Sequence, residues 1–364
     1  MVKVHQELII MPNARLKDVA RKARVSVATV SLVLADKGRI SQEVRGRVRE
    51  TAASLGYRPR SAVRASRSAA TAAVGILCAE DRQYEWNFIR PTILELEHAL
   101  RQRGHTPVLI PAASRGEPER TVQYVAESGV RAVFSLQISA GAVFAGLRER
   151  GVQVVVINTS GFQDRLDSVC VDDFQGAYEG ARYLLGLGHR SVAFVEYARP
   201  ESPAVVADRF IGFRKALDEH RVGFPPERRI TVPFMDTARL EKKLATLFSR
   251  PGRAAGGGRP TAIFAHDDYL GLYVIEALGR MGLTVPGDVS LVAPGDVLDY
   301  NLPLMPQITT LRIDTALLGK IAANLMFDRM RAAEPGPHVL KVKEQLVRRS
   351  SCRELEIAPR RRTE

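Results

Sequence analysis

Cysteine is scarce in this chain. Cys78, Cys170 and Cys352 are the only three in 364 residues, an odd and scattered set. Such a set argues against a disulfide framework or a zinc site, and makes a reducing cytosol the expected setting. Long apolar runs are also missing, since no stretch approaches the ~18 uncharged apolar residues of a membrane helix. The first fifteen residues hold too short an apolar run, and no small-residue cleavage site, for a secretory signal. Neither a nucleophile-elbow G-x-S-x-G nor a dinucleotide fingerprint occurs, and no nucleophile, base and oxyanion donor come together, so an enzyme is not expected. Gly256-Gly257-Gly258 precedes a strand rather than a helix and reads as surface loop, not as a phosphate cradle. Nothing supplies further ligands beside His266-Asp267-Asp268, so no metal and no cofactor are expected.

What remains is 45% apolar and 26% charged, the composition of a globular chain long enough for two or three units. Net charge is +13, and it is uneven. Residues 1–70 carry 15 Lys and Arg against 5 Asp and Glu, whereas the other 294 carry 38 against 35. A short basic end on a nearly neutral body points to a module that meets a polyanion, provided that the segment can fold.

It can. Leu16, Val19, Ala20 and Ala23 recur at helical spacing, with Asp18 early enough to suit the helix dipole. Ser26 then reads as the N-cap of a second helix. There Val30, Val33 and Leu34 share one face, and Val27, Ala28, Thr29, Ser31 and Leu32 stay largely outside. A third helix starts near Ser41, buries Val44, Val48, Ala52 and Leu55, and stops at Gly56. Two short helices joined by a tight turn and braced by a third make a helix-turn-helix, whose second helix enters the major groove of DNA.

The runs LKDVARKARVSVATVSLVL and SQEVRGRVRETAASLGYRP resemble the DNA-binding head of the lactose-repressor (LacI) family over about 45 residues. By that resemblance the hydroxyls of Ser26, Thr29 and Ser31 serve phosphates, which set register without reading sequence. Val27 and Ala28 occupy base-facing positions, and Leu32 stands where many relatives carry a guanine-reaching arginine. None of the three can make a bidentate hydrogen bond, which leaves apolar contact, for example with a thymine methyl. The alternative is that Val27 and Leu32 pack within the head. Arg24 replaces the usual glycine of the turn, where a positive φ would cost roughly 1 kcal/mol or more. Residues 1–12 lie outside the family pattern, leaving a terminal arm or a start at Met11 as alternatives.

Residues 57–67 resemble the family's hinge, keeping Tyr57, Pro59 and Arg64 but placing Ser66 where relatives have a leucine that wedges the minor groove. Arg60, Arg64 and Arg67 are expected to meet phosphates or minor-groove edges, with weak bending and a steep salt dependence. A basic flexible tether is the other reading.

From residue 72 onward, apolar runs (73–79, 106–111, 131–136, 152–158, 191–196, 261–266, 289–293) alternate with helical periodicity (88–104, 174–188, 209–221). Such alternation predicts parallel sheets covered on both faces, and the length predicts two α/β lobes. Ligands of such sheets sit beyond the carboxyl ends of the strands. VDDFQGAYEGARYLLGLGHRSVAFVE, ADRFIGFRKAL, PTAIFAHDDYLGLYVIEALGRMGLTVPGDVSLVAPGD and LVRRSSC continue the same family resemblance. It implies a two-lobed, periplasmic-binding-protein-like body that closes on a small effector and dimerises. Carried over residue by residue, Arg209 is the effector-binding arginine, Asp268 an acceptor for hydroxyls, and Tyr84 and Trp86 the aromatics over the ligand. Asp296 is the one carboxylate left where relatives have two, Gly295 standing for the other. Their plainer readings are a helix ion pair for Arg209, an N-cap for Asp268 and packing for Trp86. His189 reads as structural.

The whole resolves into an extension (1–13), a helix-turn-helix domain (14–58), a hinge (59–71), an effector and dimerisation body of two doubly wound lobes (72–357) and a basic tail (358–364). The expected protein is a cytoplasmic homodimeric regulator, a repressor, of a pseudo-palindromic duplex operator, responsive to a sugar or sugar-like effector. A sensor or solute-binding module with a weakened DNA head is the rival.

Overall fold

In a computed structural model of the chain, the structure describes residues 16–34, 40–55, 73–79, 86–112, 117–136, 138, 140–159, 161–198, 203–249, 258–331 and 336–355. The chain divides into two compact units, Met1–Ala72 and Ala73–Glu364.

The first unit holds α1 (Leu16–Ala23), α2 (Val27–Leu34) and α3 (Gln42–Ser54). Its core is small and made of Val and Ala: Val19, Ala20, Ala23, Val30, Val33, Val48 and Ala52, with Leu16, Val25, Val44 and Leu55 packed partly against it. Arg24 takes φ 51° and ends α1. The Val25 N–H donates to Ala20 O (3.1 Å) and the Arg24 N–H to Arg21 O (3.3 Å), the paired bonds of a Schellman cap with arginine in the left-handed position. The Ser26 hydroxyl accepts from the Thr29 N–H at 3.0 Å and caps α2.

The second unit contains two six-stranded sheets. Along the chain come β1 (Ala73–Ala79), α4 (Trp86–Gln102), β2 (Thr106–Ala112), α5 (Pro118–Ser128), β3 (Ala132–Leu136), α6 (Gly141–Glu149), β4 (Gln153–Ile157) and β5 (Asp167–Val171). Then follow α7 (Asp173–Gly186), β6 (Val192–Tyr197), α8 (Pro203–Glu219), β7 (Arg229–Val232), α9 (Thr237–Ser249), β8 (Ala262–Ala265), α10 (Asp268–Arg280) and β9 (Ser290–Gly295). Last are β10 (Thr309–Arg312), α11 (Thr315–Arg331), β11 (Val339–Val342) and β12 (Gln345–Val347).

Strand order is β11-β5-β4-β3-β1-β2 in one sheet and β12-β10-β9-β8-β6-β7 in the other. Alternate strand residues feed opposite faces. Phe134, Val155 and Ile157 meet α4 and α11, while Val133, Val154 and Val156 meet α5 and α6. Phe194 and Phe264 likewise face α7 and α8, and Val195 and Ala265 face α9 and α10. Every pairing is parallel, as the alternation of strands and helices predicts, except that of β10 with the edge strand β12, which is antiparallel.

Since β5 and β11 belong to the first sheet and β6, β10 and β12 to the second, the chain passes between lobes near 172, 313 and 343. Strand order reverses between β1 and β3 and again between β6 and β8, which marks the carboxyl ends of those strands as the binding crevice.

Candidate functional site

Two places carry candidate chemistry, one in each unit. In the head, α2 buries Val30 and Val33 and turns its other face out. Val27 is 46% and Leu32 43% exposed, so neither packs in the head's core. Ala28 and Ser31 are exposed between them. Thr29 is half-buried, its hydroxyl 2.8 Å from that of Ser26, and the two cap the helix together. Arg60, Arg64 and Arg67 lie outside the described residues, as does Tyr84.

In the body, Arg209 is buried and doubly engaged. Its Nε donates to Asp173 Oδ1 at 2.7 Å and its Nη1 to His266 O at 2.6 Å. This ties the start of α7 to the end of β8 through α8, and matches the plainer reading of an ion pair. Glu344, on the crossing between β11 and β12, completes the cluster. Both its carboxylate oxygens are shut from solvent without a hydrogen bond. Its carboxyl fits only because residue 176 is glycine, where a Cβ would lie 2.3 Å from Glu344 Cδ. Burial pushes Asp173 above the usual carboxylate range and Glu344 well above it, against the pull of Arg209. One guanidinium shared by two buried carboxyls does not offset the burial of both.

Asp268 is fully buried at the start of α10. The N-cap is its neighbour Asp267, whose Oδ1 accepts from the Leu270 N–H at 2.7 Å, so the capping alternative for Asp268 is corrected. Asp268 Oδ2 accepts instead from Val297 N (2.8 Å), Leu298 N (3.2 Å) and the Tyr300 hydroxyl (3.3 Å), which pins the loop after β9. Burial, then the Asp267 charge, raises its pKa to about 6. Asp296 is spent as well. It accepts from Thr310 Oγ1 (2.7 Å) and pairs with Arg312 (2.5 Å) and Arg349 (2.6 Å). Burial opposes its charge, but these three donors hold it below the usual range. The Arg349 guanidinium lies 3.8 Å over the Tyr300 ring, joining the two aspartates in one network.

Trp86 is 46% exposed at the start of α4, which removes core packing as its role. Beside it, Asn87 Nδ2 donates to the Tyr269 hydroxyl at 3.2 Å, and Tyr269 follows Asp268, so one hydrogen bond spans the two lobes. His189 is buried between Thr261 Oγ1 (2.9 Å) and Arg353 O (3.2 Å), and burial lowers its pKa to about 4. Arg209, Asp268 and Asp296 therefore gather at the strand ends of one lobe, and Asn87 brings the start of α4, where Trp86 stands, against the start of α10. Sequence reasoning missed Asp173, Glu344 and Arg349, and it weighed His266 only as a metal ligand, not as the carbonyl that holds Arg209. Asp173 had a signal in the VDD motif and Arg349 in the LVRRSSC run, whereas Glu344, two residues before that run, had none.

Two family models match this chain, in the order of its two units. The description "Bacterial regulatory proteins, lacI family" covers residues 15–60, and "Periplasmic binding protein-like domain" covers residues 181–352. The head carries a lacI-family regulatory domain, and the body a periplasmic binding protein-like domain. Among relatives of this chain, the HTH-type transcriptional repressor PurR of Shigella sonnei (strain Ss046) is 28% identical over 344 residues, 93% of this chain and 96% of that protein. PurR of Escherichia coli O139:H28 matches to the same extent. The transcriptional regulator CelR, solved as a complex with cellobiose, superposes with a TM-score of 0.65 at 25% identity, over 93% of this chain and all of CelR. The lac repressor dimer, solved with operator and the anti-inducer ONPF, shares the fold with a TM-score of 0.62 at 22% identity, over 94% of this chain and all of that one. These LacI-family relatives are transcriptional regulators, not enzymes. Among the described residues, no helix is long and apolar enough to cross a membrane.

Proposed function

We propose that this chain is a ligand-responsive, DNA-binding transcriptional regulator, a repressor, acting in the cytoplasm as a homodimer on a pseudo-palindromic operator. The observation that carries the reading is the pairing of one helix-turn-helix head, its second helix free on one face, with a two-lobed body whose polar residues converge at the strand ends. Ser26, Thr29 and Ser31 meet phosphate, Val27, Ala28 and Leu32 face the bases, and Arg60, Arg64 and Arg67 add electrostatic grip. In the body Arg209, Trp86 and Tyr84 meet the effector, a sugar or sugar-like molecule such as the relatives were solved with. Asp268 and Asp296 act by holding the floor of that site.

Dimerisation has a candidate face. Leu302 is 51% and Leu304 95% exposed, and with Leu272, Pro303, Met305 and Pro306 they line a cavity of about 520 Å³. An apolar patch so open marks an interface, and a second copy of this chain is its occupant.

Neutral mono- and disaccharides screened by thermal shift identify an effector, because a ligand that binds only the folded state raises its apparent stability. Emission of the sole tryptophan, Trp86, reports the same binding. Calorimetric titration of that sugar with and without operator duplex then decides the function. Two different affinities are expected, with the ratio reciprocated in operator binding. Identical constants overturn the regulator reading and favour a sensor with a weakened head.

A further inference from the structure

The outward face of α2 is unusual in what it can recognise. No residue of VATVSLVL carries a charge or an amide. At 100° per residue, Val27, Ser31, Ala28 and Leu32 fall in that angular order within one arc of about 140°, opposite Val30 and Val33. All four of the arc are exposed, and the two on the far side are fully buried. The hydroxyls of Ser26 and Thr29 are turned to each other and to the helix terminus. Ser31 alone offers a polar atom on the arc, and a serine hydroxyl serves donor and acceptor edges alike, so it discriminates little.

In the major groove the four base pairs differ in donors, in acceptors and in one apolar feature, the methyl on pyrimidine C5. A surface without bidentate donors or acceptors is blind to the first two and sensitive to the third. Resting on the regulator reading, we propose that this head selects its operator through pyrimidine C5 methyl groups, met by Val27 with Ala28 and by Leu32. Val27 and Leu32 are five residues apart, about 7.5 Å along the helix, which spans about two base steps at 3.4 Å each. Each half-site therefore presents two methyl-bearing pyrimidines about two steps apart. 5-Methylcytosine carries the same methyl at the same atom, so the head accepts it in place of thymine while it rejects uracil and unmodified cytosine. A regulator of this kind reports cytosine methylation at any site where a methylated C·G pair stands for T·A.

The test uses the full chain. An operator is selected from random duplexes, and affinity is measured by fluorescence anisotropy at one fixed salt concentration. Each half-site thymine is then replaced in turn by uracil, by 5-methylcytosine (with guanine opposite) and by cytosine (with guanine opposite). Burial of one methyl predicts about fourfold weaker binding for uracil at each of two positions. 5-Methylcytosine is expected to stay within about twofold of thymine, and cytosine to be at least as poor as uracil. Val27→Ala and Leu32→Ala, both at exposed positions, should each abolish the uracil effect at one position and leave it at the other. Selective binding that ignores uracil everywhere, or that separates 5-methylcytosine from thymine as sharply as cytosine, overturns the proposal while the regulator reading stands. Equal affinity for selected and random duplex overturns both.

Discussion

Asp268 shows how one buried carboxyl can anchor a loop at a cost that depends on pH. Its Oδ2 takes three donors from the segment after β9, yet its Oδ1 is shut in without a partner. Its pKa rises from 3.8 to about 6 on folding. Between those values the folded state binds more protons than the unfolded one, so this residue's contribution is whole below pH 4 and falls as pH climbs to 6. A shift of that size is worth about 3 kcal/mol. Asp268→Asn keeps an acceptor and cannot ionise. Urea unfolding of both proteins should show the difference in stability moving in the variant's favour by about 3 kcal/mol between pH 3.5 and pH 7. A flat difference would mean that Asp268 titrates normally in the folded chain. Arg24 is the opposite case, a strain carried by backbone alone. Its φ of 51° suits glycine, and Arg24→Gly should raise the stability of the head by about 0.5 kcal/mol, the relief being partly offset by a freer unfolded chain. Loss of the head's helical signal on urea titration measures it.

Among elements, the α7 and α8 pair carries most of the site's precision. A Cβ on Gly212 would lie 2.1 Å from the Phe174 carbonyl oxygen, a backbone atom that moves only if the helices part. Arg209 stands one turn earlier on α8 and reaches Asp173 at the head of α7, so a parting of the helices breaks that pair. Gly212→Ala should cost about 1–3 kcal/mol and remove the thermal shift caused by the effector. Gly279→Ala is the control, a helical position with open space around the added carbon, and should leave that shift unchanged. Helices and central strands were readable because their residues repeat. Residues 73–79 and 106–111 match β1 and β2 almost to the residue. β5, β7, β10, β11 and β12 escaped notice because they are three to five residues long and most lie at or next to a sheet edge, as β11 does with VLKV largely exposed. The polar residues proposed for recognition could be named one by one from motif, but their partners could not. Glu344 meets Arg209 only because the chain returns to the first sheet and crosses once more.

At the scale of the whole molecule, two heads gain from acting together only if the bodies hold them as a pair. A second binding event on the same duplex becomes intramolecular once the first has occurred, which multiplies affinity without any new contact. The loop that carries Leu302 and Leu304 is the one pinned by Asp268 and Tyr300, so the proposed effector site and the candidate dimer face share an anchor. Leu304 is 95% exposed and contributes nothing to its own lobe's core. Leu304→Asp should therefore leave folding stability within about 0.5 kcal/mol of wild type, as surface changes do. Placed in a two-fold interface, the same aspartate meets the apolar face of the partner, and the dimer pays desolvation twice. Sedimentation should show a monomer at micromolar concentration, and operator affinity should drop by at least a hundredfold while binding to a single half-site is unchanged. A variant that remains dimeric and keeps full operator affinity would remove this loop from the interface and send the search to another face.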